Sequence, residues 1–163
     1  MIDIVSNVIK EMILYFDGDV RRINHALKVY SFSKTIGQLE NIPEEMFKIL
    51  EVAAVLHDIG IKESERKYNS SAGNYQELEG PAVAKSLLEK FNLEDTFVNR
   101  VCYLIGHHHT YTEIDNLDYQ ILIEADFIVN IFEDSIPKDT IDIIKKKYFK
   151  TTTGVSLIDS MYK

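Results

Sequence analysis

The chain has 163 residues, 45% of them hydrophobic, which is enough for one domain with a buried core. Its 26 acidic and 18 basic residues give a formal net charge of −8, which argues against binding to a nucleic-acid duplex through a basic face. The single cysteine, Cys102, excludes an intrachain disulfide. With no basic leader at the N-terminus and no apolar run long enough to span a bilayer, we expect a soluble, cytoplasmic protein without a membrane partner.

Apolar residues recur with a helical period along most of the chain, and no strand pair with hairpin residues stands out. We predict helices over about 2–16, 20–37, 43–58, 81–91, 94–106, 116–132, 137–149 and 154–163. Asp19 is placed to cap the second helix, and Pro43 to open the third. The polar stretch 60–74 is expected to be a mobile loop. This pattern predicts one all-α domain, residues 1–163, with about seven helices around a central site.

The third predicted helix ends in an apolar run followed by His57, Asp58 and, two residues later, Gly60. Gly60 is expected to be a left-handed C-cap. Where the backbone leaves a helix, two neighbouring side chains can converge on one point, so this pair is a candidate half of a metal site. The alternative is an ordinary helix end, in which His57 interacts with the helix dipole and Asp58 begins a turn.

Other polar residues lie where apolar ones are expected. His25 and Asp126 fall on the apolar faces of two further predicted helices. A buried carboxylate must be paired, hydrogen-bonded or bound to metal. His107, His108 and His109 follow another apolar helix, and we expect His109 to be the one that does not reach a shared centre. Each residue has a structural explanation of its own, but together they favour a site for Mn, Fe, Co, Ni or Zn.

This ordered series resembles the HD-domain superfamily of metal-dependent phosphohydrolases. The similarity covers about residues 20–133, with the C-terminal helices 137–163 expected to pack on that core. Four segments carry it, and they match the family's R-x-x-H, L-H-D-I-G, I-x-x-H/HH and L-x-x-A-D motifs: Arg22 to His25, Leu56 to Gly60, Ile105 to His108, and Leu122 to Asp126.

The resemblance implies a ligand set. A primary metal ion would be bound by His25, His57, Asp58 and Asp126. His107 and His108 match the histidines that two-metal members add. Such members usually carry a further histidine in the segment that here reads Tyr75 to Pro81. Either Glu77 or Glu79 would replace it, or the second metal is weak or absent, so the number of ions is left at one or two.

The resemblance also implies phosphoester hydrolysis. Metal coordination lowers the pKa of bound water from about 15.7 to about 7. Asp58 would orient the attacking water as well as bind metal. Arg22 is a candidate phosphate clamp, and Lys62 a candidate assisting cation. For both basic residues, the alternative is a solvated surface charge.

The expected substrate is a nucleotide or another small phosphorylated molecule, with specificity set by residues 62–74 and 110–116. The segment Thr110 to Glu113 lacks the G-Y-P signature of cyclic-dinucleotide phosphodiesterases. Two alternatives are a sensor module that binds metal and nucleotide without turnover, and a di-iron oxygenase on the same scaffold. The oligomeric state is left open, with a homodimer among the alternatives.

Overall fold

Residues 3–163, which the computed structural model describes, form nine α-helices, one short 3-10 helix and no strand. The α-helices are α1 Ile4–Phe16, α2 Val20–Leu39, α3 Glu44–Leu56, α4 Ile61–Tyr68, α5 Gly73–Leu88, α6 Asp95–Ile105, α7 Leu117–Glu133, α8 Lys138–Tyr148 and α9 Thr152–Met161. The 3-10 turn Glu89–Phe91 follows α5. The all-α prediction is confirmed. Its first predicted helical residue, Ile2, lies outside the described residues.

Side-chain oxygens begin several of these helices by accepting hydrogen bonds from free backbone N–H groups. Asp3 caps α1 and Asp19 caps α2, the latter as predicted. Asn116 caps α7, and Thr151 caps α9 by accepting from the Gly154 N–H. Each of these caps satisfies a donor that has no partner within the helix.

The core lies around α3 and α7. Every residue of α3 from Ile49 to Leu56 is buried, and so is every residue of α7 from Asp118 to Asp126. These two helices pack against each other and against α2, while α8 and α9 cover α7 from the C-terminal side. A helix buried on all sides can present a polar side chain to a protected interior. No helix among residues 3–163 is both long and apolar enough to cross a membrane.

The predicted loop over 60–74 is wrong, because Ile61–Tyr68 form helix α4. Only Ile61 and Ser64 of this helix are buried, so the apolar period is almost absent. Local polar contacts stabilise the helix instead. The Ser64 hydroxyl donates to the Gly60 carbonyl at 2.8 Å, and Glu63 and Arg66 form an i,i+3 ion pair.

Helix α5 begins at Gly73 and continues through Pro81, where the sequence predicted its start. Close packing against the end of α3 holds this segment in place. A Cβ at Gly60 would lie 2.6 Å from the Gly80 nitrogen and 2.7 Å from the Gln76 carbonyl oxygen. Gly60 itself has a φ of −78°, so the expected left-handed C-cap is wrong. Glycine is required there because the two backbones nearly touch.

Candidate metal centre

The three central helices bring four of the sequence-predicted residues to one point. His25 comes from the middle of α2, His57 and Asp58 follow the last turn of α3, and Asp126 lies in α7. All four are buried, with His57 at 0% and Asp126 at 5% exposure. We call His25, His57, Asp58 and Asp126 the primary set.

The polar atoms of the primary set lie at the spacing of metal ligands. His25 Nε2 is 3.1 Å from His57 Nε2 and 3.2 Å from both Asp58 Oδ2 and Asp126 Oδ1. His57 Nε2 lies 3.4 Å from each of the same two oxygens. Ligands about 2.0–2.2 Å from one ion lie about 3.0–3.5 Å apart when they are adjacent. Each imidazole nitrogen therefore lies at ligand spacing from the other nitrogen and from both carboxylate oxygens, and His25, His57 and Asp58 form a group that could hold a metal ion.

Hydrogen bonds from the Nδ1 atoms orient both imidazoles so that their Nε2 atoms face the centre of the primary set. His57 Nδ1 donates to the Ala54 carbonyl at 2.7 Å, and His25 Nδ1 donates to Glu133 at 3.0 Å. In the neutral ring, the proton on Nδ1 leaves a lone pair on Nε2. Two nitrogen lone pairs and two carboxylate oxygens therefore face one another, an arrangement that requires a cation. The donor set fits a divalent transition metal.

Protonation can supply that positive charge when no metal is bound. Burial opposes the charging of His57, but the Asp58 and Asp126 carboxylates outweigh burial and raise its pKa well above the usual value. Burial alone would raise the pKa of Asp58, yet His57 and His108 hold it well below the usual value. Protons and metal ions thus compete for the same buried charges.

A second set of possible ligands shares Asp58 with the first. Its members are Asp58, His108 and His109, each of which offers one ligand atom within 4.8 Å of the others. His108 Nε2 lies 3.2 Å from Asp58 Oδ1, while His108 Nδ1 donates to the Ile105 carbonyl at 2.7 Å. Burial, together with the His108 ring, lowers the pKa of His109 to about 4, so its imidazole is neutral at pH 7.

His107 lies outside both sets, whereas the sequence placed it with His108 and left His109 out. Its Nδ1 donates to the Tyr103 carbonyl at 2.7 Å, and its ring stacks on the Tyr103 ring with centroids 4.0 Å apart. The three histidines follow one another in the turn after α6, so their side chains point in different directions. The turn sends His108 and His109 inward and His107 toward α6.

Gln76 stands at the edge of the second set. Its Nε2 donates to the Ser71 carbonyl at 2.7 Å, which orients the amide so that Oε1 faces His109. His109 Nε2 donates to that oxygen at 3.0 Å and so carries the ring proton. The amide thereby ties one nitrogen of His109 to a hydrogen bond.

Neither carboxylate proposed to replace the missing histidine faces the second set. Glu77 accepts from the His109 backbone N–H and from the Thr110 hydroxyl, both at 2.9 Å. Glu79 binds Lys67 at 2.7 Å on the outer side of α5 and accepts from the Tyr68 hydroxyl at 2.9 Å. Both groups hold surface segments together.

A cleft of about 590 Å³ opens onto the primary set, with His25, Asp58 and Asp126 in its wall. Arg22 also lines the cleft, and its guanidinium pairs with Asp19 at 3.3 Å and with Glu65. The other cation predicted to assist, Lys62, points elsewhere. Its Nζ donates to the Tyr15 carbonyl at 3.0 Å and lies over the Tyr15 ring.

Sequence reasoning missed Asn130 and Glu133. Asn130 Nδ2 donates to Asp126 Oδ1 at 3.1 Å, and Glu133 accepts from His25. Both follow Asp126 on α7 at spacings of four and seven residues, which place all three on one helix face. This repeated polar spacing was a usable signal in a mostly apolar helix.

Comparison with known proteins identifies similar domains. The family model for the HD domain matches residues 22–144. A crystal structure of a predicted HD superfamily hydrolase from an uncultured Thermotogales bacterium superposes with a TM-score of 0.66 at 24% identity. The match covers 97% of this chain and 83% of the other, and it shows a shared fold. No curated protein matches the sequence significantly.

Proposed function

This chain belongs to the HD domain family of metal-dependent hydrolases, and from that premise we propose that it hydrolyses the phosphoester of a nucleotide or another small phosphorylated molecule. The observation that carries the proposal is the primary set. Two imidazole nitrogens and two carboxylate oxygens, 3.1–3.4 Å apart along the measured pairs, meet at a cleft that an arginine also lines.

We propose that His25, His57, Asp58 and Asp126 hold one divalent transition metal ion, of the group Mn, Fe, Co, Ni and Zn. When bound, such an ion acts as a Lewis acid toward phosphoryl oxygen and lowers the pKa of a bound water. A second ion is not part of the proposal. The second set shares Asp58 with the primary set, and Gln76 holds one nitrogen of His109.

The protein's own groups would then position the reactants. Asp58 Oδ1, on the side of the carboxylate that faces His108, accepts a hydrogen bond from the attacking water and aims it at phosphorus. Arg22, held in the cleft wall by Asp19 and Glu65, binds the phosphoryl oxygens. Lys62 has no role in this scheme, because its ammonium group is bound to Tyr15.

The test begins with protein purified without chelator. We expect one transition metal ion per chain by elemental analysis. We also expect phosphate release from a panel of phosphoesters with added Mn, Co or Ni. Absence of bound metal under all conditions would overturn the site, and bound metal without turnover of any ester would favour the sensor alternative.

A further inference from the structure

The cleft above the primary set has a polar wall, and several of its hydrogen-bonding groups have no partner within residues 3–163. The unpaired groups are of both kinds. The Arg21 guanidinium is a donor, the Asn130 Oδ1 atom and the Asp134 carboxylate are acceptors, and the Ser71 hydroxyl is both. Ile61 is the apolar side chain of this wall. Arg21, Ser71 and Asp134 are exposed and Asn130 is half-buried, so a ligand in the cleft can both donate to and accept from them.

His109 is the ring in the cleft wall on which a nucleobase could stack, but neighbouring groups already cover it. His109 lies against the His108 ring, with centroids 4.0 Å apart. On the α5 side it meets the backbone, because a Cβ at Gly73 would lie 2.7 Å from His109 Cγ. Tyr68 and Tyr75, on neighbouring helices, stack on each other at 4.2 Å and take no part in the cleft wall. A nucleobase would meet mainly hydrogen-bonding side chains here rather than an aromatic face.

The charges around the cleft restrict the number of phosphates. Two cations, Arg21 and Arg22, and the carboxylates of Asp19, Glu133 and Asp134 line the cleft, and Glu133 is already paired with His25 and Lys28. Arg22 is shared between Asp19 and Glu65. One phosphoryl group at the metal and the arginines is compatible with this balance, whereas further phosphates would face the unpaired carboxylate of Asp134.

We propose that the substrate is the phosphomonoester of a hydroxyl-rich small molecule, a sugar or polyol phosphate, rather than a nucleotide. Each hydroxyl both donates and accepts, and so matches the mixed wall around Asp134, Asn130 and Ser71. The reaction forms a bond from water oxygen to phosphorus and breaks the bond from phosphorus to the ester oxygen. The ester oxygen takes up a proton from the water, which yields the free alcohol and inorganic phosphate. This inference rests on the proposed function, because it assigns a substrate class to the same site.

The test compares kcat/KM for sugar and polyol monophosphates with that for nucleoside 5′- and 3′-monophosphates, using the Mn-loaded protein. We expect the best sugar or polyol phosphate to exceed every nucleotide by about tenfold or more, the discrimination that one hydrogen bond to a charged group provides. A nucleotide as the best substrate overturns the substrate class and leaves the proposed hydrolase intact.

Calorimetric titration keeps the two proposals separate if no ester is hydrolysed. In that case the hydrolase proposal fails, and binding of the same compounds to the Mn-loaded protein decides the ligand class. Tighter binding of a sugar or polyol phosphate than of any nucleoside monophosphate supports the inference. Equal or weaker binding overturns it.

A matched pair of variants tests whether the cleft rim determines the preference for sugar or polyol phosphates. Asp134→Asn removes the unpaired rim carboxylate, and we expect the preference for the sugar or polyol phosphate over a nucleotide to fall about three- to tenfold. Asp142→Asn, in the exposed part of α8, should leave the preference unchanged. An unchanged preference in the Asp134 variant would overturn the part of the inference that assigns hydroxyl recognition to this rim.

Discussion

The primary set and the second set share Asp58 but differ in how the fold fixes them. The primary set comes from three helices that pack directly on one another, and its measured polar atoms lie 3.1–3.4 Å apart. The second set depends on the turn after α6, where His108 Nε2 lies 3.2 Å from Asp58 Oδ1 and His109 Nε2 is hydrogen-bonded to Gln76. His57 and Asp58 lie in the turn directly after α3, where every residue is buried. In the turn after α6, by contrast, one neighbouring side chain, Gln76, sets the direction of a possible ligand, His109.

The largest effect is expected from removing a ligand of the primary set alone. Asp126→Ala should bring the metal content from one ion per chain toward zero and reduce phosphate release about 10³-fold, since both charge and geometry are lost. The matched variant His108→Ala, in the second set, should retain the ion. Elemental analysis and circular dichroism check binding and folding. Equal metal loss in the two variants would show that the sets are not separate.

Glu133 supports the primary set from outside, through His25 Nδ1. Glu133→Ala should weaken metal affinity about 10- to 100-fold, because the imidazole loses the partner that fixes its tautomer and orientation. Titration with a competing chelator measures the affinity. The exposed Glu89→Ala serves as control and should bind metal normally. Wild-type affinity in the Glu133 variant would contradict the role of this carboxylate.

Gln76→His tests whether one residue sets the number of ions. An imidazole in place of the amide adds a donor beside His108 and His109 and breaks the hydrogen bond that occupies His109 Nε2. The metal content at saturation should rise from one ion per chain toward two, as measured by elemental analysis. Gln38→His, on the exposed surface of α2, should keep a content of one. A constant content in both variants would refute the role of Gln76.

The pH dependence of stability separates protons from metal at the primary set. The folded-state pKa of His57 is raised, so the stability it contributes is present below about pH 6.5 and is lost as pH rises through the folded-state value. Metal should therefore stabilise the protein more at pH 8 than at pH 6. An ion at 100 times its Kd adds about 2.7 kcal/mol, or about 5–10 °C in Tm. Scanning calorimetry measures the Tm increase caused by the metal at each pH. If that increase became smaller as the pH rises, the result would contradict competition between metal and protons.

The smallest effects are expected outside both sets. His107→Ala removes a ring that stacks on Tyr103, and Lys62→Ala removes a cation bound to Tyr15. Each should change metal content and kcat/KM less than about twofold, as is usual for surface substitutions. A tenfold loss of activity in the His107 variant would instead support His107 as a metal ligand, as the sequence suggested.

Apolar periodicity and the residues that begin or end helices predicted the limits of most helices. Helices α2, α3, α6, α7 and α8 begin and end within about two residues of their expected limits. Helix α4 was missed because it buries only Ile61 and Ser64. The start of α5 was misplaced because Pro81 is tolerated inside a helix that packs tightly on Gly60. Tertiary packing overrode the local signal in that helix.

For the candidate site as well, local sequence patterns predicted some residues, and tertiary packing decided the others. Four residues of the primary set were identified from motifs, and packing of α2, α3 and α7 brings them together. The choice among His107, His108 and His109 required the geometry of a turn, which sequence spacing does not specify. Gln76 acts through a contact between elements distant in sequence, so its importance could be recognised only after the helices were placed together.

Helix α7 also carries a carboxylate that has nothing to do with metal. Glu124, fully buried, accepts hydrogen bonds from the Gln120 amide, the Thr151 hydroxyl and the backbone N–H groups of Lys150 and Thr151. Burial raises its pKa despite these bonds. Three of its four donors therefore lie beyond residue 144, where the family match ends.

We therefore expect the proposed metal site to require more of the chain than the residues 22–144 that the family model matches. A fragment cut at residue 144 would remove three of the four donors of Glu124 and uncover its carboxylate, two residues away from Asp126 on the same helix. Residues 150–151, which lie beyond the family match, thus fix the Glu124 carboxylate on the same helix that carries Asp126.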